Sequence, residues 1–390
     1  MHTPDTLGGK TVLTLAHVAG MTDMVALPLW IGALMQHYHY SPAQAGLTVT
    51  LFLLGVVVAS AVLAPRFNRL PQRAAAASGF ARAAACFALA TGQPQTLASG
   101  LPLAVLHAVA GLGVGCALSC THGSIGRSAN PHRLFASVNV VLGVFALLFL
   151  GGVPQLILQL GAPVLFAVIA VTMALAAAVC AGAFPQTRAA DVPAHAAAST
   201  LPQLPQLPKL PQLSQLPKLP QLPTLPQLPQ LAQLPKATWF VIATVMCLTL
   251  NQAMVLRFVE RIGAEHGSGM DRVNGVLIAL GLVTLTPGVL AALLQKKWSP
   301  VAVGIAGPLG QAGLALLMTG SLAFGGYAVA AAFYVFMVIF THTFLSGLLS
   351  RLDPSGRAAA TPAMMRVGSC IGPARRGAAR RGAGRGWAMV

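Results

Sequence analysis

The chain has 390 residues, of which 56% are hydrophobic and 8% charged, and its mean hydropathy is +0.74. Soluble globular proteins carry about 25% charged residues, so this composition excludes a soluble fold and predicts a chain that lies in a lipid bilayer. The formal net charge of +17 could indicate nucleic-acid binding, but the Lys and Arg lie in short loops between apolar stretches and at the end of the chain. That placement is typical of membrane topology, so we predict no nucleic-acid partner.

Residues 1–185 are predicted to form a six-helix bundle. Each of their apolar stretches is about 20 residues long, the length that crosses a hydrocarbon core of ~30 Å. The first stretch is too long for the core of a signal peptide, and we expect it to be retained as a helix. The six predicted spans are Thr11–Met35, Ala43–Ala64, Ala74–Thr91, Leu101–Cys120, Leu134–Leu156 and Val164–Phe184.

A low-complexity segment follows this bundle. From Leu201 to Lys236 the chain repeats Leu-Pro-Gln with a period of three. Each Pro removes a backbone donor and stops a helix, so an extended polyproline II rod is the expected conformation. The segment is either a ligand of SH3-type domains or a linker expanded by repeat slippage, and we assign 186–236 as a central cytoplasmic loop.

Residues 237–373 are predicted to form a second helical bundle with four spans and the beginning of a fifth. The fold class is therefore an all-α polytopic transmembrane bundle of ten helices. Residues 374–390 are rich in Arg, Gly and Ala, and we expect them to be disordered because so many charges cannot enter hydrocarbon cheaply. The four spans are Thr238–Phe258, Val273–Leu294, Val301–Leu322 and Tyr327–Ser350.

The positive charges predict the orientation of the chain, because cytoplasmic loops retain Lys and Arg during insertion. A cytoplasmic N-terminus places nearly all of the basic loop residues on the inside, and we expect an integral protein of the plasma (inner) membrane that acts as a monomer. The inside residues are then Lys10, Arg66, Arg69, Arg73, Arg127, Arg133, Arg188, Lys209, Lys218, Lys236, Lys296, Lys297, Arg351 and Arg357.

The Gly residues of span four have a structural interpretation. Gly111, Gly113 and Gly115 are spaced like part of a dinucleotide-binding loop, but no strand precedes them and the span is apolar. Small residues that let helices pack closely explain the pattern.

Six helices, a long central loop and a second helical set of the same polarity resemble the major facilitator superfamily of secondary transporters, from Thr11 to Pro373. The signature loop of that family after helix two reads Gly-x-x-x-Asp-Arg-x-Gly-Arg-Arg. Here Arg66 and Arg69 match it, whereas Pro65 replaces the Asp. The resemblance implies that Arg66 and Arg69 belong to a cytoplasmic gate loop, and that a small solute is transported by alternating access.

The resemblance continues in Asp353-Pro354-Ser355-Gly356-Arg357, which is similar to the loop after helix ten, and stops beyond Pro373. We therefore keep an alternative open: a reading-frame shift near residue 373 that leaves a decayed or non-transporting protein. An intramembrane enzyme would need a catalytic cluster inside the spans, such as two acids, and the sequence offers none. The Cys residues show no paired spacing, so neither a metal nor a cofactor is predicted.

Asp23 is the only acidic residue deep inside a predicted span. It lies twelve residues from the cytoplasmic end, or about 18 Å along a helix, near the middle of the membrane. Burial favours the neutral form of a carboxyl, so Asp23 could bind and release a proton during transport. The alternative is a structural hydrogen-bond anchor. Trp30, seven residues later, falls on the same helix face.

Further candidates follow from the resemblance, which implies that helices one, four, seven and ten line the cavity. Buried His residues in apolar spans are often packed against a carbonyl, and Asn or Gln can simply join helices. The candidates for contact with the solute are His107 on helix four, Asn251 and Gln252 on helix seven, and Tyr334 on helix ten, with His17 and His342 as weaker ones.

Overall fold

A computed structural model describes residues 3–92, 101–186, 235–256, 259, 262–263, 270–320 and 323–361. The Leu-Pro-Gln repeat from 201 to 234, the predicted start of a further helix at 362–373 and the tail 374–390 lie outside these residues. A 3-10 turn, Ala64–Arg69, joins α3 and α4. The α-helices are α1 Leu7–Gly20, α2 Thr22–Gln36, α3 Pro42–Leu63, α4 Gln72–Thr91, α5 Leu101–Gly126, α6 Pro131–Leu160, α7 Pro163–Ala183, α8 Lys236–Leu256, α9 Met270–Val283, α10 Thr286–Leu294, α11 Pro300–Gly320 and α12 Phe324–Leu352.

The predicted all-helical membrane fold is confirmed within the described residues. Eight helical stretches there are long and apolar enough to cross a membrane, or nine if the bent pair at the start of the chain counts as one span. Helix α8 covers most of the remaining predicted span. One boundary differs in a way that matters for the site: α5 continues to Gly126, whereas the sequence predicted an end at Cys120.

Two predicted spans are broken helices. The first consists of α1 and α2, which are interrupted at Met21, and it bends by 57° around Pro28. A Pro inside a helix removes one backbone hydrogen bond, which accounts for the bend. The eighth predicted span consists of α9 and α10, and Pro287 occupies the first turn of α10, where its missing N–H costs nothing.

Helices α3 and α5 pack with their backbones in contact, as the glycine pattern predicted. A Cβ on Gly111 would lie 2.0 Å from the carbonyl oxygen of Phe52, and one on Gly115 would lie 2.4 Å from that of Val56. Gly55 of α3 meets the backbone of α5 in the same way. Small residues allow this approach, and dispersion contacts then stabilise the helix pair in lipid.

The two halves meet along α6. His132, at the start of α6, donates its Nε2 hydrogen to the carbonyl oxygen of Ala291 in α10 over 3.0 Å. Farther along α6, the Asn139 amide donates to the hydroxyl of Thr343 in α12 over 3.2 Å. The backbones also approach closely, since a Cβ on Gly288 would lie 2.7 Å from Val140. These contacts form one wall between the halves.

We predict that Gly111→Ala destabilises the protein by about 1–3 kcal/mol, because the added methyl cannot fit beside the Phe52 carbonyl. Gly151→Ala is the matched control: it is also in a helix, has open space around it, and should gain up to ~1 kcal/mol from helix propensity. Unfolding of both variants in detergent micelles measures the difference. Equal stabilities would contradict the packing account.

Candidate functional site

A central cavity of about 410 Å³ lies between the two halves. Helices α2, α5 and α6 supply its wall on one side, and α8, α9 and α12 supply the other. Most of the wall is apolar, and the described lining residues include no Lys, Arg, Asp or Glu. The polar side chains that line the cavity are His122, Asn139, Thr249, Gln252, Thr284 and His342.

Asp23 lies beside this cavity and does not line it. It is 5% exposed and belongs to the first turn of α2, where the helix dipole favours a negative charge. The neighbouring Met24 and Val25 line the cavity. At 3.6 residues per turn, Asp23 is about 100° and about 200° around the helix from these two residues. Its carboxyl therefore belongs to the side of α2 that packs within the first half.

Trp30 and His107 form a buried hydrogen-bonded pair in the first half. The indole Nε1 donates to Nε2 of His107 over 3.0 Å, and His107 Nδ1 lies 2.7 Å from the Leu103 carbonyl oxygen, to which it donates. Both side chains are 1% exposed. Trp30 also meets Phe52 edge-on, and His107 meets Phe166 in the same way. Neither residue is among those that line the cavity.

The candidates of the second half are divided between the cavity and the helix core. Gln252 lines the cavity, and so does His342. Asn251 is half-buried and is not among the lining residues. Tyr334 is fully buried in a core cluster with Met318 and Tyr327.

Sequence reasoning missed His122, Asn139, Thr249 and Thr284, which all line the cavity. His122 was missed because the polar residues after Cys120 looked like the end of the span. They stay helical because α5 remains buried here between other helices, and because Thr121 donates its hydroxyl hydrogen to the carbonyl of Ala117 over 2.8 Å. A longer helical window would have found it.

The halves are also joined at one end of the bundle, which we call the basic end because the loops with Arg66, Arg69, Arg127 and Arg357 meet there. A loop after α12, residues 353–361, packs against the first half at this end. Its fold is set by Asp353, which accepts hydrogen bonds from the backbone N–H of Ser355 over 3.1 Å and of Ala358 over 2.8 Å.

Arg127 connects that loop to the first half. Its Nε donates to the carbonyl oxygen of Ser355 over 3.0 Å, another guanidinium nitrogen donates to the side-chain oxygen of Asn68, and its plane lies 4.7 Å above the ring centre of Phe67. Burial lowers the pKa of Arg127, and the charge of Asp353 raises it. We call this set of contacts, from Arg127 to Ser355, Asn68 and Phe67, the clasp.

Gly356 is required at the clasp by its conformation and by space. Its φ is +81°, a region that side-chain-bearing residues rarely adopt, and a Cβ would lie 2.6 Å from the carbonyl oxygen of Gly123. Arg66 and Arg69 are both exposed, and Arg66 donates to the carbonyl oxygen of Val62 in the last turn of α3.

Two bundles of membrane-spanning helices with a cavity between them are the architecture of a secondary transporter. The family model described as "Major Facilitator Superfamily" matches residues 12–374, so the chain belongs to the major facilitator superfamily. No curated protein matches the chain.

Solved structures of transporters are similar in fold. The proton:xylose symporter XylE bound to 6-bromo-6-deoxy-D-glucose has a TM-score of 0.68 and 16% identity, with 96% of this chain and 89% of XylE covered. FucP in the outward conformation has a TM-score of 0.65 and 14% identity, with 96% and 92% covered. The human organic anion transporter MFSD10 has a TM-score of 0.64 and 14% identity, with 94% and 92% covered.

The clasp generates a prediction about the loop after α12. Arg127→Ala removes the donor to Ser355 and the cation above Phe67, so the backbone amides of 355–360 should exchange with deuterium faster. Arg133→Ala, at an exposed position of α6, is the control and should leave their exchange unchanged. Hydrogen–deuterium exchange with mass spectrometry measures both, and equal rates in the two variants would contradict the clasp.

Proposed function

We propose that the protein moves a neutral, mainly apolar small solute across the membrane by alternating access, with the central cavity as the binding site. The observation that carries the proposal is the lining of that cavity. It combines a largely apolar wall from both halves with a few uncharged hydrogen-bonding groups, among them Asn139, Thr249 and Gln252. An ionic or polyhydroxylated solute would lose its hydration there without enough polar partners.

The orientation predicted from the basic residues supports a cytoplasmic basic end. In that orientation the clasp closes the cytoplasmic side, and the chain around the cavity is in a state closed towards the cytoplasm. FucP, a structural neighbour, is described in an outward conformation, which agrees with this proposal. We place the protein as a monomer in the plasma (inner) membrane, with the loop 186–236 in the cytoplasm.

We further propose that transport is coupled to protons through Asp23. The carboxyl is buried beside the cavity wall, the sequence predicts mid-membrane depth for it, and movement of α2 during alternating access would change its exposure. Two structural neighbours, XylE and FucP, are described as proton symporters. A buried carboxyl that binds a proton in one state and releases it in the other couples solute movement to a proton gradient.

Asp23→Asn should abolish uptake driven by a pH gradient, because the amide cannot exchange a proton, while insertion and stability are retained. The measurement is solute and proton flux into proteoliposomes that contain a pH-sensitive dye. Asp5→Asn is the control, since Asp5 is an exposed carboxyl that accepts a hydrogen bond from Ala129 outside the spans. Undiminished coupled flux in Asp23→Asn would refute the coupling.

The solute class is tested separately by thermal shift, because a ligand that binds only the folded state raises its melting temperature. Neutral apolar solutes with one or two hydrogen-bonding groups should stabilise the protein, whereas D-xylose and L-fucose should not. Gln252→Leu should weaken this stabilisation by about 0.5–1.5 kcal/mol, and Gln159→Leu, at an exposed end of α6, should not. Stronger stabilisation by the sugars would overturn the assignment.

A further inference from the structure

Two histidines are in contact at the wall of the cavity. His17 of α1 and His122 of α5 are in direct contact: Nδ1 of His17 is 2.8 Å from Nε2 of His122, and the ring centres are 5.0 Å apart with planes at 28°. Both rings are 1% exposed, yet His122 lines the cavity. The ring of Phe135 packs edge-on against His122 at 5.5 Å and fixes its position.

The short distance between the two nitrogens determines how many protons the pair can hold. Each neutral imidazole carries one N–H, so in the neutral pair one hydrogen lies between the rings and one lies on an outer nitrogen. The other outer nitrogen keeps a lone pair and can take up one proton. A second added proton would place two imidazolium ions in contact inside the membrane, where their repulsion is poorly screened. The pair therefore has room for one proton and must titrate as a unit.

We propose that the His17–His122 pair is a proton-binding site of the cavity that accepts one proton, shared between the two rings. On uptake, a hydronium ion in the cavity gives its proton to the outer nitrogen that carries no hydrogen: an O–H bond breaks as the N–H bond forms, water is left, and the hydrogen between the rings stays between them. On release, either outer N–H bond breaks, and the pair returns to its neutral form. Use of this proton in transport rests on the proposed function, whereas its binding does not.

The surroundings of the pair contain few competing acids and bases. On the elements packed against α1 and α5, the Lys and Arg side chains that the structure describes are exposed, apart from half-buried Arg127 and Arg357 at the basic end, where Asp353 is buried. The imidazole of His342 on α12 lines the cavity, and the carboxyl of Asp23 on α2 is buried beside it. His107 and His132 are bonded to Leu103 and Ala291 respectively. The other buried titratable side chains that the structure describes on these elements are the thiols of Cys86, Cys120 and Cys180 and the phenols of Tyr327 and Tyr334.

The pair also joins the first helix to the fourth span of the same half. Protonation turns a neutral hydrogen bond into a charge-assisted one, which is shorter and stronger. It also places a positive charge in a wall whose described residues otherwise contain no Lys, Arg, Asp or Glu. The state of the pair would therefore change both the position of α1 relative to α5 and the electrostatic potential that a solute meets.

The test counts the protons that the full-length protein in lipid nanodiscs takes up between about pH 8 and about pH 5, the range in which histidine titrates. The double variant His17→Gln plus His122→Gln is compared with the wild type, and Gln is chosen because its amide can still donate and accept hydrogen bonds. We expect the double variant to lose one bound proton. Each single variant should lose none, because the remaining imidazole titrates alone. His342→Gln, a cavity histidine outside the pair, is the control that calibrates the loss for one independent imidazole.

A loss of no proton in the double variant would mean that the pair stays neutral and is structural, and a loss of two would mean two independent sites; either result overturns the proposal. If the double variant does not fold, nitrogen-15 spectra of histidine in the wild-type protein decide the question. Both rings should then titrate with one common midpoint, and two rings that remain neutral down to about pH 5 would refute the site. The experiment measures proton binding and no transport, so it can support the site even if the protein shows no flux. If the protein shows proton-coupled flux but the pair stays neutral, the proton site is refuted and the proposed function is not.

Discussion

The clasp between Arg127 and the loop after α12 is the contact on which closing of the cavity at the basic end depends in the transport cycle proposed above. The wall along α6 joins the halves side by side, and the clasp joins them at one end. Arg127 contributes a donor to Ser355, a donor to Asn68 and a cation above Phe67. Asp353 holds the loop in the conformation that presents the Ser355 carbonyl. These are a few contacts at a polar surface, each worth about 0.5–3 kcal/mol, and such contacts can open without unfolding either half.

The clasp also explains how the departure from the family signature is accommodated. With Pro65 in place of the acidic residue, this loop lacks a carboxylate at that position, and the Arg66 guanidinium donates to the carbonyl oxygen of Val62 in α3. The neighbouring Phe67 and Asn68 bind Arg127 instead, through the ring face and the amide oxygen. A loop without a carboxylate thus still contacts a cation. The sequence pointed to this loop through Arg66 and Arg69. The contacts of Phe67 and Asn68 could not be predicted, because their partner, Arg127, lies 59 positions from Asn68 in the chain.

Hydropathy was sufficient to predict the helices and the two halves, because in lipid each helix must satisfy its own backbone hydrogen bonds. Glycine spacing predicted the close packing of α3 on α5, because small residues decide how near two helices come. The direction in which each side chain faces could not be predicted. The sequence suggested that Trp30 shares a helix face with Asp23. The structure buries Trp30 in the core of the first half, where its indole donates to His107. His122 belongs to the cavity only because α5 continues past Cys120 and meets His17, and a contact between residues 105 positions apart leaves no local signal.

In the transport cycle proposed above, this chain exchanges between a state in which the clasp is closed and one in which it is open. Spin labels at Arg69→Cys and Arg351→Cys, two exposed positions on opposite halves at the basic end, would report it directly in a chain whose native cysteines are replaced by Ala. Double electron–electron resonance in nanodiscs should show a short distance between the labels for the closed clasp and a longer one for the open state. The populations of the two distances should shift between about pH 8 and about pH 5, and also on addition of a stabilising solute. A single distance under all of these conditions would contradict alternating access.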